Sequence, residues 1–325
     1  MFTHKDISVR TIFVVNCINE RNLKVKNGEL FLEEIQSEGD CKTLTKIPFQ
    51  KVLALFVIGQ ITITTPLIDN CKKYNVALIV MKPNLRPVFY WSDSAEANFL
   101  LRHRQHLMPT SDITVASAII NSKISNQIAL LKNTRKKDSQ TIFALEQCVA
   151  CLNSVSDICD RQQLLGVEGI ASKSFFKAYF QDYDWTGRKP RTRTDIINAS
   201  LDIGYTLLFN FIESYLRMFG FDLYIGVYHT QWFKRKSLVC DIMEPFRCII
   251  DRTVRTGLNR RQIREEDFEK QLTAYNLKRG RSADYYRMFF DAMIPYKVEI
   301  FNYVQAYYRC FMGRKSVENY PIFNI

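Results

Sequence analysis

Val76-Ala77-Leu78-Ile79-Val80-Met81-Lys82-Pro83-Asn84-Leu85-Arg86-Pro87-Val88-Phe89-Tyr90-Trp91 is the stretch that decides the fold class. Its first six residues form an unbroken apolar run of strand length, Lys82-Pro83-Asn84 is a turn, and Arg86–Trp91 is a second strand. Working back from it, Pro66 opens a short helix over Leu67–Tyr74, and Val52–Ile63 supplies strand-like runs broken at Gly59. Leu23-Lys24-Val25-Lys26 alternates in polarity, Asn27-Gly28 is a hairpin turn, and Glu29-Leu30-Phe31-Leu32 returns. Working forward, the period becomes helical from about Ser94. Leu100, Leu101, His103, Arg104 and Leu107 begin it, and Ile113–Leu131 is a long amphipathic segment. A charged connector, Asn133–Gln140, precedes a helix predicted from Thr141 to Leu165 and stopped by Gly166. Asp184–Thr194 carries Gly187 and Pro190 and reads as a mobile loop. Ile196–Met218 is a strong amphipathic helix ending at Gly220, and Ile242–Thr256 is a further helical block. The charged Asn259–Lys270 and the aromatic-rich Ala283–Phe311, broken at Ile294-Pro295, complete the pattern. The reading is α+β: a small N-terminal β-rich domain over residues 1–92, then a larger all-helical domain over 93–325, with the boundary at 90–95.

With 325 residues, 47% of them hydrophobic and 24% charged, the chain has the composition of an ordinary globular protein, so disorder is excluded. Its longest apolar runs are strand-sized, and Met1–Asp6 lacks the layout of a signal peptide, so a cytosolic protein without membrane contact is expected. The nine cysteines form no regular array. Cys148-x-x-Cys151 with Cys159 could be half of a zinc site, but no second pair follows at finger spacing, so buried reduced thiols are expected. A net charge of +12 favours a polyanionic partner, and nucleic acid before membrane.

Three places hold polar residues in apolar surroundings. Glu168 lies between Gly166 and Gly169, where it reads either as a ligand or as an acid complementing the dipole of a helix that begins there. His229 ends Gly226-Val227-Tyr228-His229, and reads as a ligand or as a satisfied core histidine. Asp241 and Glu244 are three apart and share a face if helical, beside Met243 and Phe246. Two acids buried there are costly without a cation, although Arg247 could complete an ion pair with Glu244. Two carboxylates and an imidazole are the donor set that suits Mg²⁺ or Mn²⁺. Basic residues flank these places: Arg188, Lys189, Arg191 and Arg193 in the loop, and Lys234, Arg235 and Lys236 after the histidine. Each group could grip phosphates or be a solvated loop.

Taken in order, these motifs resemble those of the integrase of CRISPR adaptation. Gly166-Val167-Glu168-Gly169 with Ala171, Phe176 and Tyr179 is similar to that family's glutamate motif, and Asn198-Ala199-Ser200-Leu201 with Gly204-Tyr205 to its following helix. Gly220–His229 is similar to its histidine motif, and Ser237–Arg247 to its acidic motif. Ile47-Pro48-Phe49 and Leu67-Ile68 with Cys71 fit its β domain, so the resemblance covers most of residues 20–255. The last acid is Glu244 where other members carry Asp, and the basic loop Arg188–Arg193 shows no clear pattern.

The resemblance implies a metal-dependent enzyme that joins the 3′-hydroxyl ends of a prespacer to a CRISPR repeat by transesterification. It places the metal, Mg²⁺ or Mn²⁺, on Glu168, His229 and Glu244, with Asp241 supporting. Arg247, Lys234, Arg235, Lys236, Arg188, Lys189 and Arg191 are the candidate contacts to double-stranded DNA, read from their charge and from their place beside these motifs. Arg247 is read as a phosphate contact in preference to a partner of Glu244. A homodimer and a small ferredoxin-like companion subunit are implied as partners. The alternatives are a stand-alone structure-selective nuclease and a non-catalytic DNA-binding assembly subunit.

Overall fold

The computed structural model describes residues 4–17, 21–36, 41–92, 98–108, 113–135, 137–183 and 185–325. After helix α1 (His4–Val9), the first strands are β1 (Thr11–Cys17), β2 (Arg21–Lys26), β3 (Glu29–Ile35), β4 (Cys41–Pro48) and β5 (Val52–Gly59). Helix α2 (Thr65–Tyr74) leads to β6 (Ala77–Met81) and β7 (Pro87–Trp91). The predicted Asn27-Gly28 hairpin is present: Asn27 and Gly28 both take positive φ, and Lys26 pairs with Glu29.

Two sheets form from these strands. One is four-stranded in the order β1-β5-β6-β7, with β5 parallel to β1 and β6 and with β7 antiparallel; the other is the meander β2-β3-β4. The near-continuous apolar runs of β5 and β6 are those of strands covered on both faces. Phe56, Ile58, Ile79 and Met81 join the core of the helical region, whereas Leu55, Val57, Leu78 and Val80 join a second core with Leu23, Leu30 and Leu67. Strand β5 ends at Gly59, so the predicted run to Ile63 is cut short.

The helical region comprises α3 (Phe99–His106), α4 (Thr114–Lys132), α5 (Ser139–Ser154), α6 (Arg161–Tyr179), α7 (Ile196–Phe219), α8 (Ser237–Met243), α9 (Arg247–Asn259), α10 (Ser282–Met293) and α11 (Lys297–Gly313). Strands β8 (Phe268–Gln271) and β9 (Ala274–Leu277) make a hairpin, so the region expected to be all-helical has one short β insertion. The fold class holds: strands first, then helices. The boundary read at residues 90–95 falls largely on residues 93–97, which lie outside the described residues.

One expectation fails in a way that matters for the site. The single helix read over Thr141–Leu165 is two helices, separated by a 3-10 turn at Val155–Asp157, and Gly166 sits inside the second. The physical reason is the cap at Asp160, whose side chain accepts the Gln163 N–H at 2.9 Å and starts α6 there. Glu168 is therefore a mid-helix residue, and the reading of it as an N-terminal dipole acid is withdrawn.

The block read over Ile242–Thr256 is likewise divided. Pro245 sits in a 3-10 turn, Glu244–Phe246, which separates α8 from α9 and carries Glu244 on the bend.

Candidate active site

Helices α4 and α6 and the Glu244–Phe246 turn converge on one buried cation, Lys123 of α4. Its ammonium pairs with Glu168 Oε1 and lies 2.7 Å from Glu244 Oε2. Glu168 Oε1 also accepts the Ser172 hydroxyl at 2.7 Å, one turn along α6. Arg247 Nε lies 3.0 Å from Glu244 Oε2, and its guanidinium stacks 4.7 Å from the centre of the Tyr205 ring. Arg247 is therefore in an ion pair with Glu244, one of the two readings its place in the sequence left open. Burial alone would raise the Glu244 carboxyl, but Arg247, Lys123 and His229 outweigh it and hold the group at about 2. Glu168 is also lowered: burial opposes ionisation, and the Lys123 charge overcomes it.

Asn126, one turn beyond Lys123, fixes this arrangement. Its side-chain amide donates to Pro245 O at 3.1 Å and to Phe323 O at 2.9 Å, so α4 grips the turn that carries Glu244. Gln127 continues the row by donating to Ser172 at 3.3 Å.

Asp241 has a different task. Its fully buried carboxylate accepts the backbone N–H groups of Val227 (2.6 Å) and Tyr228 (3.0 Å) on Oδ2, and that of His229 (2.9 Å) on Oδ1. The same Oδ1 lies 2.6 Å from His229 Nδ1. Asp241 thus folds the segment after Gly226 and sets the orientation of the imidazole. The segment needs glycine at 226 because a Cβ there would lie 2.4 Å from Asp241 Oδ2.

A cavity of about 600 Å³ opens beside the two glutamates. Lys123, Lys173, Lys177, Arg188, Lys189 and Arg247 line it, with Phe176, Trp185 and Tyr205 between them. The loop expected to be mobile is tied down. Asn198 Oδ1 accepts Arg188 Nη1 at 3.0 Å and Lys189 N at 2.8 Å, and Asp202 pairs with Arg188 at 2.6 Å. Arg191 is exposed outside the cavity lining, with its backbone N–H held by Asp202 at 3.3 Å.

Lys234, Arg235 and Lys236 do not line the cavity. Lys236 binds both carboxylate oxygens of Glu213, at 2.6 and 2.7 Å, and so anchors its loop to α7. Lys234 is exposed with positive φ, and Arg235 is half-buried.

Sequence reasoning missed Lys123, Asn126, Ser172 and Asp251, and named Tyr205 only as part of a helix motif; all five belong to this centre. Buried Asp251 accepts the Tyr205 hydroxyl in the cavity wall. The available signal was the polar set Ser122, Lys123, Asn126 and Gln127 inside an otherwise isoleucine-rich helix.

Two carboxylates converging on one charge could hold a hard divalent cation in its place. Glu244 Oε2 is buried with two cations against it, Lys123 at 2.7 Å and Arg247 at 3.0 Å, as suits an oxygen that a metal ion could hold. Among the described residues, no three groups of ligand type are gathered as a finished metal cluster. Glu168 and Glu244 meet at Lys123, whereas His229 is close enough to lower Glu244 and keeps Nε2 free of hydrogen bonds among the described residues.

Residues 17–289 match the family model described as CRISPR associated protein Cas1. A relative, the CRISPR-associated endonuclease Cas1 1 of Archaeoglobus fulgidus, is 30% identical over an alignment 276 residues long that covers 77% of this chain and 79% of the relative. Two solved structures share the fold. A casposase bound to integration product aligns with a TM-score of 0.75 at 18% identity, over 97% of this chain and 96% of that one. A chain of a Cas6-RT-Cas1–Cas2 complex aligns with a TM-score of 0.78 at 20% identity, over 98% of this chain and 36% of that longer one. The match over residues 17–289 takes in Glu168, His229, Asp241 and Glu244, and on it this chain belongs to the CRISPR associated protein Cas1 family.

Proposed function

We propose that this protein is a metal-dependent DNA endonuclease and integrase of CRISPR adaptation, joining prespacer 3′-hydroxyl ends to a CRISPR repeat by transesterification. The observation that carries the reading is the convergence of Glu168 and Glu244 on one positive charge at the edge of a basic cavity. A relative named as an endonuclease and a structural neighbour described as bound to an integration product support it.

Glu168, Glu244 and His229 would hold Mg²⁺ or Mn²⁺. The ion supplies Lewis acidity, easing ionisation of the attacking hydroxyl and neutralising charge on the attacked phosphate. The chain's own residues do the rest. Asp241 fixes the imidazole through Nδ1 and leaves Nε2 for the ion. Arg188, Lys189, Lys173 and Lys177 present positive charge to a phosphate backbone in the cavity. Arg247, held by Tyr205, keeps Glu244 ionised. The reaction moves one phosphodiester bond: the incoming 3′-oxygen bonds to phosphorus as the repeat's own 3′-oxygen leaves and takes a proton.

The partners in this reading are double-stranded DNA, a second copy of the chain and a small ferredoxin-like companion subunit. A neighbouring structure described as a Cas1–Cas2 complex supports the last of these.

The test is a joining assay with a labelled 3′-hydroxyl end, a repeat-containing plasmid and Mn²⁺. Joined product is expected from the parent, and none from Glu168→Ala or His229→Ala, with DNA binding retained in both. Cleavage without joining would favour a structure-selective nuclease. Binding with neither activity would favour an assembly subunit.

A further inference from the structure

We infer that Lys123 is the counter-cation of the metal-free site: its ammonium occupies the gap between Glu168 and Glu244 and must leave for a divalent ion to enter. The inference rests on the metal reading above and adds a residue that governs how tightly the ion is held.

Lys123 is only 9% exposed, and its ammonium bridges carboxylates from two separate elements. Two negative charges, Glu168 and Glu244, face two positive ones, Lys123 and Arg247. That balance is what a low-dielectric site requires, because an unpaired buried carboxylate is costly. A divalent ion added to the balanced set would leave it with a surplus of two positive charges, and the departure of one cation halves that surplus.

Arg247 is the poorer candidate to leave, since its planar guanidinium is packed on Tyr205 as well as paired. The backbone of Lys123 is fixed, because Asn126 ties α4 to Pro245. Its side chain is a flexible four-carbon stem with a compact charge, which can turn without moving the helix. The neighbouring cavity of about 600 Å³ has Lys123 in its wall and gives the ammonium somewhere to go. Displaced there, it joins Lys173, Lys177 and Arg188 on the surface where a phosphate would lie. Loading the ion thus adds positive charge to the cavity from within the chain.

The experiment compares the full-length parent, Lys123→Met, Glu168→Gln and the double variant at one near-neutral pH. Mn²⁺ affinity is read by electron paramagnetic resonance, and melting temperature in chelator and in Mn²⁺. Lys123→Met is expected to melt lower than the parent in chelator and to recover more when Mn²⁺ is added. It should also bind Mn²⁺ about tenfold tighter or more, because a repelling charge has gone. Loss of a purely structural residue would weaken the site instead. The double variant should regain much of the chelator stability, since it again balances one negative charge against one positive.

Equal or weaker Mn²⁺ affinity in a folded Lys123→Met overturns the inference. If that variant fails to fold in chelator, the double variant decides: folding supports the counter-cation role, and equal instability overturns it. If the parent itself binds no Mn²⁺, the metal reading fails and takes this inference with it. Binding by the parent that Glu168→Gln abolishes and Lys123→Met leaves unchanged sinks the inference alone.

Discussion

Asp241 accepts four hydrogen-bond contacts, three of them from backbone N–H groups, and is fully buried. An asparagine would turn one N–H₂ toward donors whichever way it is flipped. Asp241→Asn should therefore lose on the order of 2–3 kcal/mol in denaturant melts, well beyond an ordinary polar swap. Unchanged stability would show that the 227–229 segment folds without it. Asp251 makes a prediction of opposite sign. Burial raises its carboxyl, the Tyr205 hydroxyl and Arg247 only partly offset this, and the result is a rise from 3.8 to about 7. Such a group favours the fold while protonated. The benefit is full below about 3.8 and is lost as pH climbs through about 7, a swing of up to roughly 4 kcal/mol. Asp251→Asn cannot ionise and keeps an oxygen for Tyr205. Measured in chelator, its melting temperature should gain on the parent between pH 5 and pH 8, and a constant difference would contradict the buried-acid account. Glu168, His229 and the Asp241–Glu244 pair stood out in the sequence because they lie in three separate motifs, each short and odd in its surroundings. Lys123 did not, since a lysine in an amphipathic helix looks like a solvated one until its neighbours in space are known.

At the scale of elements, the same glycines that marked the glutamate motif misled the helix reading. Gly166 lies within α6, exposed, and a Cβ there would meet nothing within 4 Å. Gly166→Ala should therefore stabilise the fold by about 0.5–1 kcal/mol through helix propensity. A loss in denaturant melts would mean the position is constrained by something other than this chain's own packing. The true break, Val155–Asp160, carries Ser156, Asp157 and the Asp160 cap, a local signal outweighed by apolar periodicity on either side. The Glu244–Phe246 turn was visible as Pro245, yet its consequence was not. The turn matters because it points Glu244 at α4, a helix more than a hundred residues earlier in the chain.

For the whole molecule, the net charge of +12 becomes specific once six Lys and Arg side chains are found around one cavity. DNA affinity should fall steeply with salt as phosphate contacts release counterions. Lys189 is exposed and lines the cavity, so Lys189→Ala should weaken binding to all sequences alike and reduce the salt slope by about 1. Lys236→Ala should leave that slope unchanged and lower stability instead, because its ammonium is committed to buried Glu213. A titration in which Lys236→Ala flattened the slope and Lys189→Ala did not would reverse the two assignments.

What the sequence determined by itself was whatever depends on neighbours along the chain. Strand-length apolar runs before residue 92 and helical periods after it define the class, Asn27-Gly28 the hairpin, and the ordered motifs around Glu168, His229 and Glu244 the family. Tertiary structure alone decided which charges meet. Glu168 and Glu244 lie on separate elements and share a partner only because α4 packs between them and Asn126 pins the Pro245 turn. Lys236 and Lys189 carry the same group with opposite meaning, one bound to a buried acid and one open to the cavity. Pairing and burial are set by distance in space, and a string of residue types does not contain that distance.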